Sequence, residues 1–324
     1  MVARTSVRGI TEGAILAALV ALLAIATRYV PVLGAAAGLV CPLPLSALVI
    51  RHGLRAALLA AVVSAVIGGI IAGPLVGAGI LLAFGPLGII LGVGVARGWS
   101  ATAIVLGGTI VGTVGILANL GIALALGDVN PYLVMIEGMR QSQVTAAQFY
   151  QGLGIPREQI EQVSGQMRQV LDLMPRLIPL LIVVGGATTA YLNVVVGRLV
   201  LGRFGYRLPQ LPPIRQWRVP GPLLWVFVVG FILSAWGRLW SPYLETAGLN
   251  LGLLMQVMFV VQGLIVGWVL LERYRTPSWM RWVVILFALS NPLLALVAFF
   301  LGLADSAFLL RDRWASAPSG ARAS

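Results

Sequence analysis

The stretch LPPIRQWRVPGPLLW, residues 211–225, interrupts a chain that is otherwise almost continuously apolar. Its prolines fix the backbone angle φ and remove hydrogen-bond donors, so a continuous helix cannot pass through it. Arg215, Trp217 and Arg218 are of the residue types that meet lipid headgroups at a membrane surface. We therefore predict that residues 204–220 form a basic, proline-rich cytoplasmic linker, and that these three side chains bind lipid or a partner.

The composition on both sides of this linker is that of a membrane protein. Of the 324 residues, 59% are hydrophobic and 10% are charged, and the mean hydropathy is +0.98. So little polar surface cannot coat a soluble globule of this length. The net charge of +12 could attract a polyanion, but most arginines lie beside apolar runs, where membrane topology explains them. We expect an all-α polytopic membrane protein with no nucleic-acid partner.

Apolar runs of about 20 residues, the length that crosses a bilayer, recur along the chain. We predict transmembrane helices at 11–31, 34–50, 55–73, 77–96, 101–127, 176–197, 221–240, 250–271 and 281–304. The second run is the weakest because Pro42 and Pro44 interrupt it, so the count is eight or nine. The first six helices form a membrane domain over 1–203, the others form a C-terminal bundle over 221–310, and 311–324 is a flexible tail.

The arginines are concentrated in alternate loops, which places the N-terminus in the cytoplasm. The polar insertion 128–175 then lies outside, and its excess of acidic residues agrees with that side. The tail does not agree, because nine spans would put Arg311 and Arg313 outside as well. Either the last run, broken at Asn291 and Pro292, is not a simple span, or the arginines of the other loops determine the orientation and override the weak charge signal of the tail.

The external insertion carries an amphipathic helix. Apolar residues recur at spacings of three and four from Ile160 to Met174, and Pro156 and Glu158 suit its first turn. Residues 132–151 are predicted to form its antiparallel partner. Two interpretations stay open: a helical hairpin packed on the outer mouth of the domain, or a mobile lid with a methionine-rich apolar face.

Motifs for enzyme chemistry are missing from the sequence. It contains no zinc-site spacing, no phosphate-binding glycine loop and no hydrolase nucleophile motif, and its single cysteine, Cys41, excludes an internal disulfide. We expect no catalytic residue, no metal site and no cofactor. Polar side chains inside apolar runs are the remaining candidates, and we assign Arg28, Asn119 and Asn193 to substrate binding. The alternative for Arg28 is that it reaches out to lipid headgroups from the end of its helix.

The first predicted helix has small residues at intervals of four. Ala17 and Ala21 form one such pair, and Ala14 and Ala18 form another. Small residues allow a second helix to approach closely in a membrane. These alanines therefore pack against another helix of this chain, or they dock a separate membrane subunit.

Several stretches together resemble the YybS-like family of bacterial membrane proteins, a domain of unknown function. They are residues 8–19, 43–57, the linker LPPIRQWRVP, and 302–308 followed by Arg311-Asp-Arg313. Through this family the first six spans are similar to the substrate-binding S components of energy-coupling-factor (ECF) vitamin transporters. That resemblance implies that an alanine pair in the first span, Ala14 with Ala18 or Ala17 with Ala21, docks a transmembrane coupling subunit.

Two functions of different classes follow. The first is a small-molecule binding or transport subunit, which would need a coupling subunit and ATPases as partners because the chain has no ATP-binding motif. The second is a membrane scaffold or regulatory protein that recruits a partner or anionic lipid through its basic linker. An intramembrane enzyme would require polar side chains to cluster in one cavity.

Overall fold

The computed structural model describes residues 7–127 and 130–316, which contain helices and no strand. The chain divides into two compact units, and the division falls between Leu211 and Pro212. This boundary lies inside the predicted linker 204–220. The expectation of an all-α protein is confirmed over the described residues.

In its described residues, 7–127 and 130–211, unit 1 contains nine α-helices and a five-residue π-helical segment. They are α1 (Val7–Tyr29), α2 (Pro31–Val40), α3 (Leu43–His52), α4 (Leu54–Ala72), α5 (Pro74–Gly79), the π segment (Ile80–Phe84), α6 (Gly85–Ala96), α7 (Ala101–Gly127), α8 (Pro131–Gly152) and α9 (Arg157–Arg203).

Two of these helices differ from the predicted spans. The run 34–50 is shorter than a full span: α2 ends at Val40, Cys41 and Pro42 keep a right-handed helical backbone, and α3 follows from Leu43, so that 36–52 forms one short apolar helical segment. The run 176–197 is not a separate helix. It is the second half of α9, which continues for 47 residues through Pro175 and Pro179 from the predicted insertion into the predicted span.

Small residues set the distances between the helices of unit 1. Ala17 on α1 is 1% exposed, and its carbonyl oxygen accepts a hydrogen bond of 2.9 Å from the Ser64 hydroxyl on α4. The Ser46 hydroxyl of α3 donates 2.8 Å to the carbonyl oxygen of Gly88 on α6. A side chain at Gly88 would overlap the Pro42 carbonyl oxygen. Backbones in van der Waals contact are how helices associate where lipid supplies no hydrophobic force.

As far as residue 316, where the described part of the chain ends, unit 2 contains five α-helices after a short 3₁₀ turn at Ile214–Gln216. They are α10 (Leu223–Trp236), which runs into a 3₁₀ turn at Gly237–Leu239, α11 (Pro242–Arg273), α12 (Ser278–Ser290), α13 (Pro292–Phe308) and α14 (Leu310–Ser316). Residues 311–316, which were predicted to be flexible, therefore belong to a helix; residues 317–324 lie outside the described residues.

The last predicted span, 281–304, is not one straight helix. The chain bends by 105° between α12 and α13. Pro292 lacks the N–H that a continuous helix would need, and Asn291 caps the new helix, because its side-chain oxygen accepts a hydrogen bond of 2.9 Å from the Leu293 N–H. The last run is therefore not a simple span, which is one of the two explanations that the sequence left open for the arginines of the tail.

Helix α13 packs tightly against α11. Gly263 faces Ala298 and Gly302 faces Phe259, and neither glycine has room for a side chain. The last turn of α13 lies beside Gln262 of α11, because the Gln262 side chain donates 2.8 Å to the Asp305 carboxylate. Leu309 then takes a left-handed conformation with φ 53° and ends the helix.

The helices are long and apolar enough for a multi-pass membrane protein. Six in the described ranges can cross a bilayer by length and composition, or seven if α12 and α13 count as one broken span. The segments 36–52 and 223–239 are shorter apolar helices. In unit 2, exposed aromatic side chains flank the 32-residue α11 at both ends, as in the aromatic belts of membrane proteins. They are Trp236, Trp240 and Tyr243 at its first end and Tyr274 and Trp279 at its last.

Replacing Gly263 with alanine should destabilise unit 2, because the added Cβ would overlap the Ala298 carbonyl oxygen. We expect Gly263→Ala to lower the unfolding free energy by about 1–3 kcal/mol, the usual cost of overpacking. The matched control is Gly267→Ala, one turn further along α11, where no atom lies within 4 Å of the added group. Thermal unfolding of the detergent-solubilised variants measures the difference. Equal melting temperatures would contradict this packing.

Candidate functional site

A cavity of about 490 Å³ opens in unit 1 at the end where α1 and α7 finish. The turn between α4 and α5, the π segment and the last turns of α1 and α7 enclose it. Its lining residues are Ala24, Thr27, Arg28, Ala72, Gly73, Pro74, Leu75, Val76, Gly79, Phe84, Ala123 and Leu126. The predicted substrate residue Arg28 is therefore part of a cavity wall.

Arg28 is the one charged side chain in the wall of this cavity, which is otherwise mostly apolar. None of the acidic side chains within 7–127 and 130–316 forms an ion pair with it. The Thr27 hydroxyl donates 2.6 Å to the Ala24 carbonyl oxygen and so keeps its lone pairs available as acceptors. A guanidinium group that forms no ion pair within the described ranges, beside mostly apolar walls, suits a ligand that combines an anionic group with an apolar body.

The π segment Ile80–Phe84 places an irregular backbone beside the cavity. Single π turns inside α-helices often occur at functional sites. Phe84, its last residue, lines the cavity, and Gly79 immediately before it does so too. On the far side of the segment, Gly115 of α7 packs so closely that a Cβ there would overlap the Leu82 carbonyl oxygen. This packing fixes the irregular turn in place.

The structure brings Asn119 near the cavity but leaves Asn193 apart from it. Asn119 donates 3.1 Å to the Gly115 carbonyl oxygen, and its own side-chain oxygen faces Gly79. Asn193 is 1% exposed on α9 and donates 3.0 Å to the Thr189 carbonyl oxygen. The antiparallel pairing of α7 and α9 puts Asn193 level with residues near 105, roughly 27 Å along α7 from the cavity.

The four alanines of α1 divide between two faces. Ala17 and Ala21 are each 1% exposed and belong to the packed interior of unit 1. Ala14 and Ala18 are exposed on the outside of the helix. Only the second pair is therefore available to a separate subunit.

The insertion forms a helical hairpin of α8 and the first half of α9, as the sequence predicts. Gln143 of α8 donates 2.7 Å to the Ser164 carbonyl oxygen of α9, and Arg140 pairs with Asp172 at 2.8 Å. A groove of about 1070 Å³ runs between the two helices, and the predicted methionine-rich face lines it with Met135, Met139, Met167 and Met174. Helix α8 packs on α9, and no other element of the described chain packs against it comparably.

The three predicted linker residues have partners within unit 2. Arg215 pairs with Glu272 at 3.0 Å, and the Trp217 indole N–H donates 2.9 Å to the Pro212 carbonyl oxygen. Arg218 forms a two-pronged pair with Asp312 of the tail. The hydrogen bond from Arg218 lowers the pKa of the Asp312 carboxyl below its ordinary value.

The sequence analysis missed a buried ion pair in the same region. Asp305 is 1% exposed and accepts hydrogen bonds of 2.9 and 2.8 Å from the Arg311 guanidinium, which also donates to the backbone carbonyl oxygens of Arg215 and Trp217. Gln262 of α11 donates 2.8 Å to Asp305 and accepts 2.6 Å from the Val219 N–H. Arg311 was assigned to a flexible tail, and the spacing of six residues does not suggest an ion pair. The left-handed turn at Leu309 creates it.

A family described as "Predicted membrane protein (DUF2232)" matches residues 18–306 of this chain. The chain belongs to this family. A relative in Bacillus subtilis (strain 168), "Uncharacterized protein YybS", is 24% identical over 319 residues, covering 94% of this chain and 98% of the relative. The resemblance to YybS-like proteins is confirmed. No solved structure matches the chain.

The DUF2232 match includes both halves of the chain and every wall of the cavity around Arg28. It includes Asp305 but ends before Arg311. Because the relative is itself uncharacterised, the function of this DUF2232 protein has to be argued from its own geometry. Within the described ranges, no three His, Cys, Asp or Glu side chains come together to hold a metal ion.

Removing the Asp305 carboxylate should destabilise unit 2 far more than removing that of Asp312. Asp305→Asn leaves the buried Arg311 without a counter-ion, which costs on the order of 3 kcal/mol. The Asp312 pair is exposed, so Asp312→Asn should change the melting temperature little. A double variant, Asp305→Asn with Arg311→Gln, should recover part of the loss in the same thermal assay. Equal effects of the two single variants would show that the buried pair is not a stabilising contact.

Proposed function

We propose that this protein is a small-molecule binding subunit of a membrane transport system, resembling ECF S components, and that the cavity around Arg28 is its ligand site. The observation that carries the proposal is Arg28, the one charged side chain in the lining of an otherwise mostly apolar cavity, which forms no ion pair with an acidic side chain of 7–127 or 130–316. Arg28 is exposed at the end of α1, so its guanidinium can reach a ligand that enters the cavity. The ligand class is a small molecule with a carboxylate or another anionic group and an apolar or aromatic body.

The proposed orientation follows from the arginines of the sequence. The N-terminus lies in the cytoplasm of a bacterium, and the cavity and the α8–α9 hairpin then face outward from the inner membrane. The short segments 36–52 and 223–239 would complete eight or nine crossings. The prolines of 36–52 are compatible with a crossing, because neighbouring helices can satisfy the carbonyl oxygens that proline leaves without a donor.

Transport would require a second subunit, because the chain has no ATP-binding motif. The exposed pair Ala14 and Ala18 supports docking of a coupling subunit, since it leaves a flat strip on α1 that no helix of unit 1 covers. Ligand would act by binding the open and closed states of the cavity with different affinities. The turn at Gly73, where a Cβ would meet no atom within 4 Å, is the part of the wall that moves between those states.

The scaffold alternative rests on the basic linker. Its arginines Arg215 and Arg218 already pair with Glu272 and Asp312, so less of their charge is available to a partner or to anionic lipid. For that reason we place the binding and transport function first.

Ligand binding is tested by purifying the protein gently from its native bacterium and extracting small molecules for mass spectrometry. We expect a stoichiometric anionic metabolite with the wild type. The amount of metabolite that co-purifies with Arg28→Gln should be at least tenfold lower, because a charge-assisted hydrogen bond contributes about 1.5–3 kcal/mol to binding. Arg55→Gln, which changes an exposed arginine at the opposite end of unit 1, is the control and should retain the metabolite. Absence of any stoichiometric molecule from the wild type would contradict a binding function.

Subunit docking is tested on the same preparations by quantifying the proteins that co-purify. Ala14→Leu with Ala18→Leu should remove a transmembrane subunit and its ATPase, because bulky side chains block close helix approach. The control is Ala125→Leu, on an exposed position of α7. Recovery of cytoplasmic or envelope proteins without an ATPase would favour the scaffold instead.

A further inference from the structure

The end of unit 2 at which α11 finishes carries an excess of positive charge. Arg215 of the linker and Arg281 of α12 both pair with Glu272 of α11, at 3.0 and 3.4 Å, and Arg311 donates 2.8 Å to the Arg215 carbonyl oxygen. These contacts bring together the three segments 215–218, 272–281 and 305–313. The segments contain seven arginines and three acidic residues, so four positive charges remain in excess.

Each acidic side chain of this basic end is already bound by an arginine. The pairs are Glu272 with Arg215 and Arg281, Asp305 with Arg311, and Asp312 with Arg218. Arg275, in the turn between α11 and α12, is exposed and forms no ion pair with an acidic side chain of 7–127 or 130–316. Its charge is therefore open to an anion from outside the described chain.

The backbone of Arg275 has a conformation that usually belongs to glycine. Its φ angle is 56°, and it follows α11 by one residue. The Arg275 N–H donates 2.9 Å to the Glu272 carbonyl oxygen, and the Thr276 N–H donates 3.2 Å to that of Leu271, which is the hydrogen-bond pattern of a helix C-cap. Glycine is the common residue at that position because an L side chain disfavours it. An arginine there indicates that the side chain, rather than the backbone, has a role.

Exposed aromatic and aliphatic side chains adjoin the same turn. Tyr274 is 74% exposed and Trp279 is 68% exposed, and both residue types lie preferentially at membrane interfaces. Helix α12, which begins three residues after Arg275, exposes Val283 and Leu286. A soluble anion would meet the arginine and leave this apolar surface unused. An anionic phospholipid uses both, because it joins a phosphate to acyl chains.

We propose that the α11–α12 turn binds the headgroup of an anionic phospholipid, with Arg275 as the phosphate contact and the exposed side of α12 against the acyl chains. The guanidinium fork matches the geometry of a phosphate. Arg215 and Arg281, which share Glu272, hold the turn in place and contribute to the positive potential around it. One arginine beside an anionic headgroup contributes about fivefold in affinity.

Native mass spectrometry of the detergent-solubilised protein tests the proposal, with dioleoyl phosphatidylglycerol and dioleoyl phosphatidylcholine as probes. The acyl chains of the two lipids are the same, so any difference in affinity reports the headgroup charge. The wild type should bind phosphatidylglycerol at least about fivefold more tightly. Arg275→Gly and Arg275→Gln should each weaken phosphatidylglycerol binding about fivefold and leave phosphatidylcholine binding unchanged, whereas Arg275→Lys should retain most of the preference.

The glycine variant separates lipid binding from folding. Glycine suits a φ of 56°, so Arg275→Gly should melt at the same temperature as the wild type or higher. The matched control is Arg238→Gln, which changes an exposed arginine near the exposed Trp236 and Trp240 at the opposite end of α11. It should bind phosphatidylglycerol as the wild type does.

Three results would overturn the proposal. Equal affinity of the wild type for the two lipids would show that only the acyl chains are bound. An equal loss in Arg275→Gln and Arg238→Gln would show a general effect of net charge rather than a site at this turn. Displacement of phosphatidylglycerol by glycerol phosphate at the same concentration would show that the turn binds a soluble anion and not a lipid.

Discussion

Close contact between helix backbones is the constraint on which both units depend. Lipid removes the hydrophobic force between helices, so packing must supply the attraction, and it does so where side chains are absent. Gly88 lies on the backbone of α3, Gly115 lies on the π segment, and Gly263 and Gly302 hold α11 and α13 together. A methyl group at any of these glycines would displace a backbone, because the atoms it meets belong to the main chain rather than to a flexible side chain.

The second requirement is that irregular backbone inside a membrane protein be satisfied by the protein itself. In unit 2 the linker and the turn after α13 have irregular backbone. The side chains of Arg311 and Gln262 supply hydrogen bonds in this region. The Arg311 guanidinium binds two linker carbonyl oxygens and the Asp305 carboxylate, while Gln262 joins that carboxylate to a linker N–H. This side-chain network thus satisfies backbone polar groups of the linker, as helical hydrogen bonds do elsewhere. The same hydrogen bonds restrict the motion of the linker.

The two open features of unit 1 lie at the same end of the chain path. The cavity around Arg28 is formed where α7 ends, and the hairpin begins immediately afterwards at Pro131. The cavity offers a cation and apolar walls to a small ligand, whereas the lining of the hairpin groove contains no charged residue. An anionic ligand therefore suits the cavity and not the groove.

The sequence by itself determined the membrane class, the apolar helices, the proline-rich linker and the amphipathic hairpin, because composition and periodicity are local properties of the chain. It also placed Arg28 near a helix end. The cavity beside Arg28 forms only because α4, the π segment and α7 pack together there. Tertiary structure alone decided which alanines of α1 are buried, that the chain bends by 105° between α12 and α13, and that Arg311 folds back onto Asp305. These depend on helix rotation, bend angle and register, which arise only when helices pack against one another.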